Sequence, residues 1–152
     1  GILKAGISDA QSAMYLGTVP TGNGRRESYK RKAYTRMTNT FFEGGKDTLP
    51  DMIASISHGF LLEQAESGME DPKNWGIQCM VAIAREIKDG KLTGKIYSPV
   101  VLTGYVPDLL KSISMVSEKV ELGGGGFCGK GYKEWVKVSD GGPYIKARIR
   151  LG

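Results

Sequence analysis

Histidine and cysteine are scarce in this chain of 152 residues, which holds one histidine, His58, and two cysteines, Cys79 and Cys128. The two cysteines sit far apart in sequence, and their sparse use fits a reducing compartment better than a disulfide framework. A metal-ligand role for His58 on a helix needs a second ligand four residues away, but those positions are Ala54 and Leu62. His58 is therefore read as structural. No apolar run approaches the length of a membrane span and no secretory signal opens the chain, so a cytoplasmic protein is expected. There is no internal repeat and no linker, so residues 1–152 are expected to form a single domain. The 22 glycines are not periodic, which excludes a collagen-like chain. The formal charge of +5 permits an acidic partner without demanding one.

What the chain does have is a dense glycine cluster. Residues 123–131 read Gly-Gly-Gly-Gly-Phe-Cys-Gly-Lys-Gly. Glycine loses much backbone entropy on folding, so a cluster implies positive φ angles or close approach of another backbone or ligand. Around Cys128 it admits two readings: a thiolate presented to a metal or substrate, or a small apolar residue in a floppy loop. The spacing also fits G-x-G-x-x-G, but residues 132–138 alternate like a strand, where a dinucleotide site needs a helix. Gly129-Lys130-Gly131 lacks the hydroxyl residue of a P-loop.

The remaining patterns predict an α+β fold, mostly antiparallel sheet with one good helix and one or two short ones. Asp9 caps a short helix over 9–16. Residues 36–42, rich in β-branched and aromatic side chains, read as a strand. Thr48 and Asp51 resemble a capping box, Pro50 suits a first helical turn, and Leu49, Ile53, Ile56 and Phe60 follow helical spacing. The best helix is thus expected over 49–62, with His58 near its C-terminal end. A loop is expected over 67–74. A long strand over 76–87 buries Cys79 in the core, and Asp89-Gly90 signals a type I′ turn into a return strand over 92–101. Residues 107–112 form a short helix and 113–122 extend again. Residues 144–151 alternate as one half-buried strand with Lys146, Arg148 and Arg150 outward.

The most basic stretch is Arg25-Arg26-Glu27-Ser28-Tyr29-Lys30-Arg31-Lys32, with Arg36 beyond it. It reads either as a contact for a phosphate or carboxylate, or as a solvated loop with Glu27 paired to a neighbouring arginine. Tyr29 and Tyr34 interleave with the charges as on a nucleic-acid surface, but no nucleic-acid motif surrounds them.

Three stretches in order, Pro20-Thr21-Gly22-Asn23-Gly24-Arg25-Arg26-Glu27-Ser28-Tyr29, Arg36-Met37-Thr38-Asn39-Thr40 and Cys128-Gly129-Lys130, resemble the C-terminal part of the TldD/PmbA family, also labelled modulator of DNA gyrase. The Asp89-Gly90 hairpin, Ile113-Ser114-Met115-Val116 and the opening Gly1-Ile2-Leu3-Lys4 fit as well, so the resemblance covers nearly the whole chain. The TldD-like branch implies a zinc metallopeptidase that cuts unstructured peptides. Zn2+ is held there by two histidines of an H-E-x-x-x-H helix and by the cysteine of a C-G-K motif, which only Cys128 matches. The resemblance implies Cys128 as a metal ligand, because zinc takes thiolate and imidazole donors and leaves one position for water.

The H-E-x-x-x-H helix is missing from this sequence, and in the family it precedes the part matched here. The chain is therefore expected to be a C-terminal domain cut from a longer one, inactive alone, with no catalytic residue of its own. Residues 68–78 also depart from the Asn-Phe-Gly-Gly-Gly-like stretch of many members. Expected substrate contacts are Arg25 and Arg26, for a carboxylate or as braces through Glu27, and Gly125 and Gly126, for close backbone approach. Expected partners are the N-terminal part of the same chain, an unstructured peptide, and a second subunit in a homodimer or a TldD/PmbA-type heterodimer. The competing expectations are a non-catalytic PmbA-like binding module and a basic nucleic-acid-binding domain.

Overall fold

A computed structural model of the chain describes residues 2–130 and 134–152. In chain order the elements are α1 (Ala10–Leu16), β1 (Gly24–Arg25), β2 (Tyr34–Thr35), β3 (Asn39–Phe41), α2 (Leu49–Ala54), β4 (His58–Asp71), β5 (Gly76–Lys88), β6 (Lys91–Tyr97), β7 (Val100–Tyr105), α3 (Val106–Ser112), β8 (Met115–Val116), β9 (Glu121–Lys130), β10 (Glu134–Gly142), β11 (Ile145–Lys146) and β12 (Arg150–Leu151). This is the expected α+β fold, dominated by antiparallel pairing. No helix among the described residues is long and apolar enough to cross a membrane. Two compact units are formed, Gly1–Glu43 with Val120–Gly142, and Gly44–Lys119 with Pro143–Gly152.

The second unit is built on β5. It pairs with β4 along one edge and, along the other, with β7 over its first half and β6 over its second. Val81, Ala84 and Ile87 of β5 are buried and, with Met52 and Val100, make this unit's apolar core. The predicted turn is present: Asp89 and Gly90 both have positive φ, 49° and 77°, and bring Lys88 opposite Lys91.

Several boundaries differ from the sequence reading, some for tertiary and some for local reasons. The expected helix over 49–62 starts as predicted, with the Thr48 hydroxyl accepting from the Asp51 amide at 3.3 Å, but it stops at Ala54. Beyond it, residues 59–63 find β5 as a partner, and a paired strand outcompetes the helical spacing. His58 therefore opens β4, exposed and opposite Lys88, rather than closing a helix. The expected loop over 67–74 is mostly strand. β4 runs to Asp71, whose carboxylate then accepts from the Lys73 and Asn74 amides at 3.0 and 3.3 Å to make the turn. The return strand over 92–101 is split into β6 and β7 at Pro99, which has no amide to donate to a ladder. The expected strand over 144–151 is two short pieces: β11 pairs with β8, and β12 with β7.

The first unit opens with the predicted cap. The Asp9 carboxylate accepts from the Ser12 amide at 2.6 Å, the Ser12 hydroxyl accepts from the Asp9 amide at 2.9 Å, and Gly17 in the left-handed region ends α1. β1 pairs with β2, and a three-stranded sheet runs in the order β3-β10-β9. β3 is parallel to β10 and shorter than the strand expected over 36–42. The interior of this unit is unusually polar: Ser8, Asn23, Arg36 and Glu134 are buried beside Ala13 and Val136.

Candidate functional site

Residues 123–130 of the glycine cluster are strand rather than loop. β9 pairs antiparallel with β10, placing Cys128 opposite Val136, Gly129 opposite Trp135 and Lys130 opposite Glu134. Gly131, Tyr132 and Lys133 lie outside the described residues. Two glycines have clear physical reasons. A Cβ on Gly129 would lie 2.8 Å from Cζ3 of Trp135, so the indole occupies the space a side chain would fill. Gly125 has a φ of 91° where the register shifts: Gly126 faces Val138, Gly123 faces Asp140, and two β9 residues stand against Ser139 alone. That is a bulge, and its extra residue takes a conformation that suits glycine.

Side chains alternate across this strand, so Cys128 and Lys130 share one face with Val136 and Glu134, while Phe127 and Gly129 share the other with Trp135 and Lys137. Arg36 lies on the Cys128 face, only 1% exposed. Its Nη2 donates to the Cys128 carbonyl, and also to the Glu134 carbonyl at 3.1 Å. The Arg36 backbone is held in turn by Asn23, whose carbonyl accepts from the Arg36 amide at 2.9 Å and whose Nδ2 donates to the Arg36 carbonyl at 3.0 Å. Arg25 donates to the Met37 carbonyl at 2.7 Å, and Lys130 to the Thr35 carbonyl at 3.2 Å. Three stretches separated by up to a hundred residues thus meet around one thiol.

Residues 1–150 match the PmbA/TldA metallopeptidase C-terminal domain. The chain belongs to this family. A metalloprotease TldD homolog of Haemophilus influenzae is 36% identical over 147 residues, covering 96% of this chain and 30% of that protein. A zinc metalloprotease TldD homolog of Saccharolobus solfataricus is 30% identical over 153 residues, covering 100% of this chain and 34% of that protein. The crystal structure of TldE from Thermococcus kodakarensis superposes with a TM-score of 0.72 at 25% identity, over 98% of this chain and 31% of that one. The chain therefore spans about a third of the length of the relatives it matches.

In this PmbA/TldA domain the two cysteines have opposite electrostatics. Burial pushes the Cys79 thiol up. Burial acts on Cys128 in the same direction, but the Met37 amide, the Arg36 guanidinium and the positive charges of Arg36 and Lys130 outweigh it, leaving that thiol below its ordinary value. A half-buried thiol whose surroundings shift it toward the thiolate is a fit donor for zinc. It is one donor only: among the described residues no three His, Cys, Asp or Glu side chains gather as a metal-binding group.

The other sequence-predicted residues divide. Gly125 and Gly126 lie on the same strand as Cys128. That strand pairs with β10 alone among the described residues, so its second edge has no strand partner there. Arg25 is committed to the Met37 carbonyl and Arg26 is exposed. Glu27 braces neither of them: one oxygen accepts from the Trp135 amide at 3.3 Å and the other lies 3.9 Å from Nε of Arg31. Sequence reasoning missed the part played by Arg36 and Asn23. Their presence inside the first two motifs was the available signal, since nothing local explains an arginine between Thr35 and Met37.

Proposed function

We propose that this chain is the C-terminal domain of a zinc metallopeptidase that cleaves unstructured peptides, with Cys128 as one metal ligand and the free edge of β9 as the peptide-docking strand. The observation that carries this reading is the position of Cys128: a thiolate-favouring site on a glycine-rich edge strand. When bound, zinc supplies Lewis acidity to a water and to the scissile carbonyl. This chain's residues do the rest of its share. Arg36 and the Met37 amide hold the sulfur side of the site, and the bare backbone of residues 123–126 lets an extended peptide approach and hydrogen-bond through its main chain. Such pairing needs little side-chain specificity, which suits an enzyme of unstructured peptides. The remaining metal ligands and the general base come from elsewhere in a longer chain, since among the described residues no three His, Cys, Asp or Glu side chains gather as a metal-binding group. The isolated domain is expected to be inactive. Its partners are the preceding part of its own chain and a second subunit of the same or a related kind.

The test is zinc content of chelator-washed full-length protein, wild type against Cys128→Ala. Stoichiometric zinc in the first and strong loss in the second supports the ligand role. Equal zinc in both refutes it. No zinc in either moves the weight to a non-catalytic binding module.

A further inference from the structure

The positive charge of this molecule comes from one place. Residues 25–36 carry six basic side chains against one acidic, and the rest of the chain has fifteen of each sign, so the formal +5 arises here. Arg36 is buried and Arg25 is tied to a carbonyl, but Arg26, Lys30, Arg31 and Lys32 are exposed. Lys130 of β9 joins this segment. Its Nζ lies 5.9 Å from the centre of the Tyr34 ring, and Nζ of Lys32 lies 5.4 Å from the same ring. Two ammonium groups are thus gathered by one half-buried aromatic side chain, which attracts each through its ring electrons. Among the described residues the ion pairs of this unit take up neither lysine: Glu27, the one acidic residue of the segment, faces Arg31.

We propose that Lys130 and Lys32, gathered on Tyr34, form a specificity subsite that takes an acidic side chain of the extended peptide. This rests on the reading of β9 as the docking strand. Cys128 and Lys130 are two residues apart on one face of a strand, about 7 Å. A peptide added to that strand has the same period, so the side chain two residues from the one opposite Cys128 lies beside Lys130. A carboxylate there meets two exposed ammonium groups outside any ion pair among the described residues, although Lys130 also donates to the Thr35 carbonyl and stands opposite Glu134, and a lysine or arginine meets repulsion, which discriminates by penalty as much as by attraction.

The experiment uses the zinc-loaded full-length protein. Acetylated and amidated unstructured peptides, which have no terminal carboxylate, carry Glu, Gln or Lys at one scanned position, and initial rates are read by mass spectrometry. At a position two residues from the cleaved bond, Glu is expected to give about fivefold higher kcat/KM than Lys at low salt, with the ratio falling toward one at about 0.5 M salt. Lys130→Glu reverses the order and Lys130→Met flattens it. Lys32→Glu carries the same expectation as Lys130→Glu should the latter fail to fold. Equal rates for Glu and Lys at every position, or an unchanged order in both glutamate variants, overturns the subsite while leaving the peptidase reading intact. No cleavage of any peptide overturns the peptidase reading and the subsite with it.

Discussion

Arg36 joins the two strands of the β9–β10 pair through one nitrogen: its Nη2 donates to the carbonyls of both Cys128 and Glu134. The bond is unusual in its setting. The guanidinium is buried, and among the described residues its Nε and Nη1 have no hydrogen-bond partner, nor does Oε2 of Glu134. A buried charge held largely by carbonyls has been taken out of water for something, and here the neighbour it acts on is the Cys128 thiol.

Removing that side chain should be costly. Arg36→Met leaves two carbonyls without their charged donor and is expected to destabilise the domain by about 2–4 kcal/mol. Arg36→Lys should recover part of the loss, because an ammonium reaches one carbonyl but does not span both. Urea denaturation followed by circular dichroism checks this, and a Met variant as stable as wild type would show that the bridge contributes nothing.

The two thiols should react differently. Cys128, held below the ordinary thiol range, is expected to be alkylated by iodoacetamide well before Cys79, which burial holds above it. As pH rises, the Cys128 rate should reach its plateau first. Peptide mapping after timed quenching at several pH values decides this; faster labelling of Cys79 would contradict the assigned electrostatics.

Within the glycine run, position should matter more than residue type. Gly125 has positive φ, so Gly125→Ala is expected to destabilise by about 1 kcal/mol or more. Gly124 meets nothing within 4 Å of an added Cβ and lacks that conformation, so Gly124→Ala should be nearly neutral. Matched denaturation curves test the pair. Equal effects would mean that the bulge does not set the requirement.

Acid should loosen α1. The Asp9 carboxyl is held below its ordinary value, chiefly by the Ser12 amide. Its capping contribution is therefore present above the unfolded-state value near 3.9 and is lost as pH falls through the lower folded value. Asp9→Asn should remove that part of the pH dependence of Tm below about pH 4. An identical acid profile in the variant would place the sensitivity elsewhere.

Local chemistry was readable directly from the sequence. The caps at Asp9 and Thr48, the Asp89-Gly90 turn and the helix after Tyr105 depend on residues within three or four positions of one another, and each stands where the sequence places it. The family, too, was legible, because its motifs are short and contiguous. Tertiary structure decided the rest. It ended α2 at Ala54 by offering residues 59–63 a strand partner, and it made residues 123–130 a strand by supplying β10 and an indole over Gly129. It also brought Asn23, Arg36 and Cys128 together, converting an apparently solvated arginine into a buried one. Strand pairing and burial are contacts between residues far apart in the chain, and no window of local sequence contains both partners.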